Sequence, residues 1–196
     1  MEVSEMRLLV TGGAGFIGTN FIYRMLANHP DVEIIYLDTL TYAGNMHNLD
    51  WAMEDRRFRF IKGDISKWDE VTLALKQDYD AVINFAAESY VDKSIEDPGI
   101  FLVSNIIGTQ VLMDACRRFD IERFHQISTD EVCGDLPLER PDLLFTEQTP
   151  IKPSSPYSAS KASADLLVQA YHRSYGLKTT IGRSSSNYKP YQFPRN

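Results

Sequence analysis

The stretch Thr11-Gly12-Gly13-Ala14-Gly15-Phe16-Ile17-Gly18 decides the fold of this chain. It follows the apolar run Arg7-Leu-Leu-Val10, which has the length of a β-strand, and it precedes a helical pattern near residues 16–29. Glycines at these positions allow a tight turn, let backbone N–H groups approach a pyrophosphate, and allow the next helix to pack closely on the sheet. Because strand, turn and helix agree, we favour a dinucleotide site over a plain glycine-rich turn, with contacts from Gly12, Gly15, Phe16, Ile17 and Gly18.

Strand-length apolar runs recur along the rest of the chain, at residues 33–37, 58–61, 80–84, 124–128 and 179–182. Helical patterns near 45–54, 67–76, 99–118 and 157–175 alternate with them. This alternation predicts an α/β fold of the Rossmann type, a doubly wound parallel sheet with helices on both faces. We expect residues 1–182 to form this domain. The stretch Gly134–Pro156, with five prolines, predicts one long loop over the carboxyl ends of the strands.

Composition limits the partners and the compartment. The 196 residues are 43% hydrophobic and carry a net charge of -7, which favours small-molecule partners over nucleic acid or an anionic membrane. The charge-free stretch Pro98–Met113 is shorter than a membrane span and predicts a buried helix. Residues 1–5 show no secretory signal, the two cysteines are too few for a disulfide framework, and the histidines lack metal-ligand spacing. We therefore expect a reduced, cytoplasmic protein without a metal.

Further candidate cofactor contacts follow the strands. Asp38 ends the second strand, where a carboxylate can accept both ribose hydroxyls and would repel a 2′-phosphate. This favours NAD over NADP, although a solvent-facing aspartate is the plain alternative. Asp64 and Ile65 close the third strand and could lie against an adenine. Phe85, Ala86 and Ala87 follow the fourth strand, with small residues where the cofactor must pass.

Tyr157 and Lys161 form a candidate catalytic pair. A phenol with a pKa of about 10 needs a shift of roughly three units, or about 4 kcal/mol, to act as a base at neutral pH. Lys161 follows four residues later, on the same face of a helix, so its ammonium can stabilise the phenolate. An ordinary helix with a solvated lysine is the alternative when the glycine motif is disregarded.

The run Ser128-Thr129-Asp130-Glu131 ends the fifth strand. A hydroxyl of Ser128–Thr129 can bond the same substrate oxygen that Tyr157 deprotonates. Asp130 and Glu131 add two neighbouring carboxyls, which can divide acid and base roles between them if their environments differ. Elimination of water needs both roles, whereas the plain alternative is the start of a polar loop.

Taken together, these motifs resemble the extended short-chain dehydrogenase/reductases. With Asp38-Thr-Leu-Thr-Tyr-Ala-Gly-Asn45, Ala86-Ala-Glu-Ser89 and Val91-Asp92-Lys-Ser94, nearly the whole chain is similar to the dTDP-glucose 4,6-dehydratase family. The acidic pair after Thr129 is the specific element, since sugar epimerases of the superfamily keep the Tyr and Lys but lack it.

The resemblance implies a three-step reaction on a sugar nucleotide. Tyr157, assisted by Thr129, would remove the carbon-4 hydroxyl proton while the carbon-4 hydride passes to NAD. Glu131 would then take the carbon-5 proton as Asp130 protonates the leaving hydroxyl, and the hydride would return to carbon 6. It also implies sugar or diphosphate contacts from Glu88, Ser89 and Ser186, and cofactor contacts from Thr41, Asn105, Asn187, Tyr157 and Lys161.

Several positions depart from the family pattern. Ser186 stands where an asparagine is usual, Lys189 replaces a glycine, and Cys133 replaces a tyrosine. The family continues into a segment that completes the substrate domain. The resemblance therefore implies that residues 1–182 form the NAD-binding domain with the Tyr157 and Lys161 helix, and that residues 183–196 begin an incomplete, small substrate-binding portion. We expect this chain to be truncated and its substrate site incomplete. The alternatives are a dehydratase or epimerase of another nucleotide sugar, or a non-catalytic NAD-binding module. The helices near 99–118 and 157–175 are expected to pair in a homodimer, as in the family, although their apolar faces could equally be internal core.

Overall fold

The computed structural model describes residues 6–41 and 44–192. Within these residues the core is a six-stranded sheet made of β1 (Met6–Thr11), β2 (Val32–Asp38), β3 (Phe58–Lys62), β4 (Ala81–Asn84), β5 (Arg123–Thr129) and β6 (Lys178–Ser184). All neighbouring strands pair in parallel, in the order β3-β2-β1-β4-β5-β6. The predicted Rossmann-type sheet is therefore confirmed. The prediction about a secretory signal at residues 1–5 lies outside the described residues.

The helices connect these strands. They are α1 (Phe16–Asn28), α2 (Asp50–Met53), α3 (Trp68–Ala74), α4 (Val91–Glu96), α5 (Pro98–Phe101), α6 (Gly108–Arg118) and α7 (Pro156–Tyr175). A 3₁₀ turn, Met46–Leu49, precedes α2, and a second one, Asp130–Cys133, follows β5. The long α7 begins with a capping box in which Ser155 and Ser158 satisfy each other's backbone N–H groups, with Pro156 in the first turn.

Alternate residues of β1 face opposite sides of the sheet, which explains the two-layer core. Leu8 and Val10 pack with Ile22 of α1 in one buried cluster. Leu9 points the other way and joins Leu112 of α6 in the second cluster. A central strand with apolar side chains on both faces is typical of a parallel sheet covered by helices on both sides.

The order of the strands places the functional crevice. From β1 the chain builds the sheet outward through β2 and β3, and it then returns to the other side of β1 for β4, β5 and β6. In open parallel sheets, ligands bind beyond the carboxyl ends of the strands at the point where the order reverses. Here that point lies between β1 and β4.

The segment 98–118 differs from the prediction of a single buried helix. It runs continuously as α5, a π-helical segment (Leu102–Ile107) and α6. Half of its apolar window is buried, and Leu102, Val103 and Ile107 are each nearly half exposed. By length and hydropathy alone this helix is also apolar enough to cross a membrane. The short charge-free pattern could not show that one face stays uncovered in the monomer.

Other differences are at element boundaries. The helix α4 was not predicted, since six residues are too few to show a helical period. The strand β6 continues through Ser184, past the domain boundary expected at residue 182. Residues 134–155 contain turns but no helix or strand, as the long-loop prediction requires.

Candidate active site

The glycine turn between β1 and α1 forms one end of a crevice. Gly12 has a positive φ of 67°, and an added Cβ would come within 2.4 Å of the Ala86 backbone nitrogen. A Cβ on Gly18 would lie 2.6 Å from the Gly12 carbonyl oxygen. The first turn of α1 can therefore pack this closely against the glycine turn only because Gly18 has no side chain. Gly15 caps α1, and among residues 6–41 and 44–192 no side chain makes a capping hydrogen bond at this helix end. This helix end is therefore available to an anion.

Asp38 lies at the end of β2 beside this turn. Its Oδ1 accepts a hydrogen bond from the Leu40 N–H at 2.7 Å, and its Oδ2 accepts one from the hydroxyl of Tyr36. The carboxylate lines the crevice, so the position predicted for a ribose contact is occupied by an oriented acceptor.

The crevice has a volume of about 1470 Å³ and runs across the carboxyl ends of the strands. It brings together all but one of the candidate site residues. Those that line it are Gly12, Gly15, Phe16, Ile17, Gly18, Asp38, Thr41, Asp64, Ile65, Phe85, Ala86, Ala87, Glu88, Ser89, Thr129, Asp130, Glu131, Tyr157, Lys161, Ser186 and Asn187.

Asn105 is the exception, because it lies behind the crevice wall. The side chain is 1% exposed, and its oxygen accepts the Glu88 N–H at 2.8 Å. Its amide nitrogen donates to the Glu88 carbonyl oxygen at 2.9 Å and to the Ser160 hydroxyl at 2.8 Å. These bonds use both amide hydrogens, so in this arrangement Asn105 holds the wall rather than contacting a cofactor.

Thr129, Asp130 and Glu131 reach the crevice through the change from strand to 3₁₀ turn. Thr129 caps this turn, and its Oγ1 accepts from the Glu131 N–H at 3.3 Å. The turn directs both acidic residues into the crevice wall, where Asp130 is half-buried and Glu131 is exposed. Two carboxyls in unequal surroundings therefore border the same space as Tyr157.

Ser128 stands in the same run, and the sequence indicates its hydroxyl as a substrate contact only together with that of Thr129. It is 6% exposed, lines the crevice, and has a buried Oγ without a hydrogen-bond partner in the described structure. Buried hydroxyls usually have a partner, so this hydroxyl in the crevice wall is available to bond a ligand. The sequence does not show which of the two hydroxyls, Ser128 or Thr129, faces the crevice. Strand alternation places neighbouring side chains on opposite faces of the sheet, but it does not tell which face borders the crevice.

Tyr157 stands in the first turn of α7, and its backbone is held on both sides. Its N–H donates to Ser94 Oγ at 3.1 Å, and its carbonyl oxygen accepts from Ser160 Oγ at 2.7 Å. Both serines are fully buried. The edge of the Phe101 ring also packs against the Tyr157 ring. Sequence analysis missed this support, since the serines come from elements that only the fold brings together.

Lys161 lies one helical turn after Tyr157 and is 4% exposed. Its Nζ donates to the Ile127 carbonyl oxygen at 2.6 Å. Burial lowers the pKa of Lys161 to about 8, and the negative charge of Asp165 opposes this shift. Both residues line the crevice, and a buried ammonium one helical turn from a phenol can favour its phenolate.

A buried ion pair supports Lys161 from behind. Asp165, four residues further along α7, is fully buried, and its Oδ2 accepts from Arg183 Nε at 2.9 Å. The other oxygen of Asp165 is buried without a hydrogen-bond partner in the described structure. Asp165 therefore supplies a negative charge near two cations while remaining outside the crevice lining.

Ser186 and Asn187 lie just beyond β6, on the exposed side of the crevice. Asn187 Nδ2 donates to Ser184 Oγ at 3.2 Å and to the Ser185 carbonyl oxygen at 3.0 Å. These contacts are local, and they leave the Asn187 side chain at the crevice mouth.

Comparison with known proteins agrees with this geometry. Residues 9–196 match the family model described as GDP-mannose 4,6 dehydratase. A dTDP-glucose 4,6-dehydratase from Mycobacterium tuberculosis (strain CDC 1551 / Oshkosh) is 52% identical over 187 residues, which cover 95% of this chain and 55% of the relative. The chain thus spans about half the length of the curated relatives it matches.

Solved structures give the same result. A dTDP-glucose 4,6-dehydratase from Streptomyces venezuelae with NAD bound superposes with a TM-score of 0.91 at 47% identity, over 96% of this chain and 58% of that one. A Thermus thermophilus UDP-glucose 4-epimerase in complex with NAD gives 0.86 at 33% identity, over 97% and 58%. The chain belongs to the GDP-mannose 4,6 dehydratase family, within which it is similar to the dTDP-glucose 4,6-dehydratases.

Proposed function

We propose that this chain provides the NAD-binding and catalytic part of a nucleotide-sugar 4,6-dehydratase, which converts dTDP-glucose to dTDP-4-keto-6-deoxyglucose for deoxysugar synthesis of the rhamnose type. One observation carries the proposal: Asp130 and Glu131 line the same crevice as the glycine turn, Tyr157 and Lys161. This hydro-lyase reaction needs a site for a redox cofactor, a base that allows oxidation of the sugar, and an acid and a base for the loss of water. The glycine turn, the Tyr157–Lys161 pair and the two carboxyls can supply these three parts.

The crevice fits NAD. The uncapped first turn of α1 can bind a pyrophosphate through its N–H groups, and a Cβ at Gly12 or Gly18 would clash with backbone. Asp38 can accept the ribose hydroxyls, which supports NAD over NADP. When bound, NAD takes a hydride from the sugar and later returns it.

The first chemical task of the chain is removal of a proton from the carbon-4 hydroxyl. Tyr157 is the base, and the charge of Lys161 lowers the cost of its phenolate. The buried Ser128 hydroxyl and the Thr129 hydroxyl are the candidates to bond the same substrate oxygen. The unpaired Oγ of Ser128 favours Ser128 for this contact, with Thr129 shaping the turn.

The second task is elimination of water across carbons 5 and 6. A ketone at carbon 4 acidifies the hydrogen on carbon 5, so a carboxylate can remove it. We assign this step to Glu131 and assign protonation of the departing carbon-6 hydroxyl to Asp130. Each such proton transfer is worth typically about 10²- to 10⁴-fold in rate.

Positioning of the sugar nucleotide falls to residues around the crevice. Glu88 and Ser89 follow β4 and can face the sugar and diphosphate, and Ser186 lies at the exposed end. Asn105 would act indirectly, by fixing the Glu88 backbone.

A second candidate substrate class is another nucleotide hexose linked to UDP or GDP. The match to a GDP-mannose 4,6 dehydratase family model and the similarity to a UDP-glucose 4-epimerase favour testing it. A dehydratase forms a 4-keto-6-deoxy sugar from its preferred donor, whereas an epimerase returns a hexose with no loss of water.

The decisive experiment is incubation of the protein with NAD and dTDP-glucose, UDP-glucose or GDP-mannose, followed by the alkali-induced absorbance of a 4-keto sugar. We expect this absorbance with dTDP-glucose, and we expect Glu131→Gln to abolish it while NAD binding persists. Wild-type binding of NAD without any keto sugar would support a cofactor-binding module instead. Unchanged product formation by Glu131→Gln would contradict the role assigned to this carboxylate.

We also propose a homodimer formed through the segment 98–118 and α7. The apolar side chains of Leu102, Val103, Ile107 and Leu166 are each about half exposed and lie on these two packed helical segments. Covering them with a second copy would bury an apolar surface that the monomer leaves in water. The acidic net charge and the two buried free cysteines support a cytoplasmic site of action, without nucleic-acid partners.

A further inference from the structure

The Tyr36 side chain is fully buried beneath the glycine turn. An added Cβ at Gly13 would come within 2.8 Å of the Tyr36 ring, so the turn rests directly on the ring. On its other sides the ring packs against Phe58 and Phe60, at centroid distances of 6.0 and 5.2 Å. This packing fixes the position of the hydroxyl.

The Tyr36 hydroxyl joins the glycine turn to Asp38. It accepts from the Ala14 N–H at 2.7 Å and donates to Asp38 Oδ2 at 2.5 Å. The other oxygen of Asp38 accepts from the Leu40 N–H at 2.7 Å. The Ala14 N–H also makes a longer contact of 3.4 Å with Asp38 Oδ2, so the glycine turn and the Tyr36 hydroxyl meet at the same carboxylate oxygen. Rotation of the carboxylate would break at least one of these bonds.

The direction of the Tyr36–Asp38 bond is also fixed. Burial, followed by the negative charge of Asp38, raises the pKa of Tyr36 well above its ordinary value. The phenol therefore stays protonated, and it gives its single hydrogen to Asp38 while the Ala14 N–H fills its acceptor side. A charge-assisted bond of this kind restrains a carboxylate more strongly than a bond between neutral groups.

We propose that Tyr36 is a positioning residue for cofactor selection, which holds the Asp38 carboxylate where it accepts the ribose hydroxyls of NAD and repels the 2′-phosphate of NADP. This inference rests on the NAD site of the proposed function. A carboxylate free to rotate could turn away from a 2′-phosphate, whereas one tied to the glycine turn and to β2 cannot. Discrimination then depends on the Tyr36 hydroxyl as well as on the charge of Asp38.

A Tyr36→Phe variant tests this, because it keeps the packed ring and removes only the hydroxyl. We expect the dissociation constant for NADH, measured by nicotinamide fluorescence on the 196-residue chain, to rise about tenfold. The constant for NADPH should change less or fall, so that the NADH preference shrinks. The matched control is Tyr79→Phe, which removes the hydroxyl of another buried tyrosine, bonded to the Ala74 carbonyl oxygen at 2.7 Å and outside the crevice lining. It should leave both constants unchanged.

A double-mutant cycle separates positioning from a general effect on stability. In an Asp38→Ala background the carboxylate is gone, so adding Tyr36→Phe should change NADH affinity by less than about twofold. An equal loss in both backgrounds, or a wild-type cofactor preference in Tyr36→Phe, would overturn this inference while leaving the NAD site intact. Failure of the wild-type chain to bind NADH would overturn both.

Discussion

The Lys161 ammonium donates to the Ile127 carbonyl oxygen at 2.6 Å, which fixes it to β5 directly before Ser128. The side chain has exchanged nearly all of its water for this bond and for the charge of Asp165. Burial consequently lowers its pKa from 10.5 to about 8. The group proposed to assist Tyr157 therefore lowers the stability of the folded chain.

This cost predicts a stability gain from Lys161→Met. Below about pH 8 the lysine is charged in the folded and unfolded chains, and burying that charge costs up to about 3 kcal/mol. Between pH 8 and 10.5 only the unfolded chain keeps the proton, so wild-type stability should rise with pH through this window. Urea unfolding at pH 7 should show that Lys161→Met is more stable than wild type. We expect a gain of only about 1 to 2 kcal/mol, because the Ile127 carbonyl oxygen loses its hydrogen-bond donor in the variant. This gain should shrink toward pH 10.

The exposed Lys76 provides the control, since Lys76→Met should change stability little at either pH. A Lys161→Met variant that is less stable than wild type at pH 7 would show that the ammonium contributes net stability, contrary to this account.

Ser160→Ala should impair the placement of Tyr157 without affecting the glycine turn where NAD is proposed to bind. The change removes the bonds from Ser160 to the Tyr157 carbonyl oxygen and from Asn105 to Ser160. If the proposed dehydratase activity holds, kcat should fall at least about tenfold, since small displacements of a catalytic group are costly. NADH affinity should stay within twofold. Ser163→Ala, on the same helix, removes a comparable bond to the Ala159 carbonyl oxygen and should leave kcat unchanged. Equal losses in the two variants would refute a specific role for Ser160.

Asp165→Asn should lower the stability of the fold and remove a negative charge near Lys161. It leaves Arg183 facing a neutral partner in a mostly buried site, and breaking a buried pair costs up to about 3 to 5 kcal/mol. It should also lower the pKa of Lys161 further, because the charge that raises it is removed. Denaturant unfolding measures the first effect, and NMR titration of the lysine measures the second. Asp142→Asn breaks an exposed pair with Arg140 and should leave the free energy of unfolding nearly unchanged. If the pKa of Lys161 does not change in Asp165→Asn, then the two side chains are not electrostatically coupled and this account is wrong.

Leu102→Glu should prevent the proposed self-association. The substitution places a charge in the exposed apolar face of the segment 98–118, where a partner copy would have to bury it. Sedimentation of the wild type should give twice the monomer mass, and the variant should give the monomer mass. Leu73→Glu alters an equally exposed leucine on α3 and should remain dimeric. A wild type that sediments as a monomer would rule out this interface.

The sequence was sufficient for the fold and for the crevice lining because both depend on local patterns. The glycine run after β1 and the alternation of strand and helix lead directly to a parallel sheet. Because parallel strands end at one edge, residues that follow them must meet there, as Asp38 and Glu131 do.

Residues that act through other residues could not be found in this way. Tyr36 and Ser94 show no pattern in sequence, and their roles depend on contacts with Asp38 and Tyr157 that tertiary packing creates. The family resemblance implies a cofactor contact for Asn105, whereas in the structure Asn105 lies in the π-helical segment and bonds the Glu88 backbone. A one-residue change in helical register is not visible in a charge-free apolar run.

The most direct measurement follows deuterium from carbon 4 of dTDP-glucose. If the crevice oxidises carbon 4, eliminates water and returns the same hydride, incubation with dTDP-[4-²H]glucose should yield a 4-keto-6-deoxy sugar with the deuterium at carbon 6. In Glu131→Gln this product should not form. Deuterium retained at carbon 4, or lost to solvent in the wild-type product, would contradict the dehydratase mechanism.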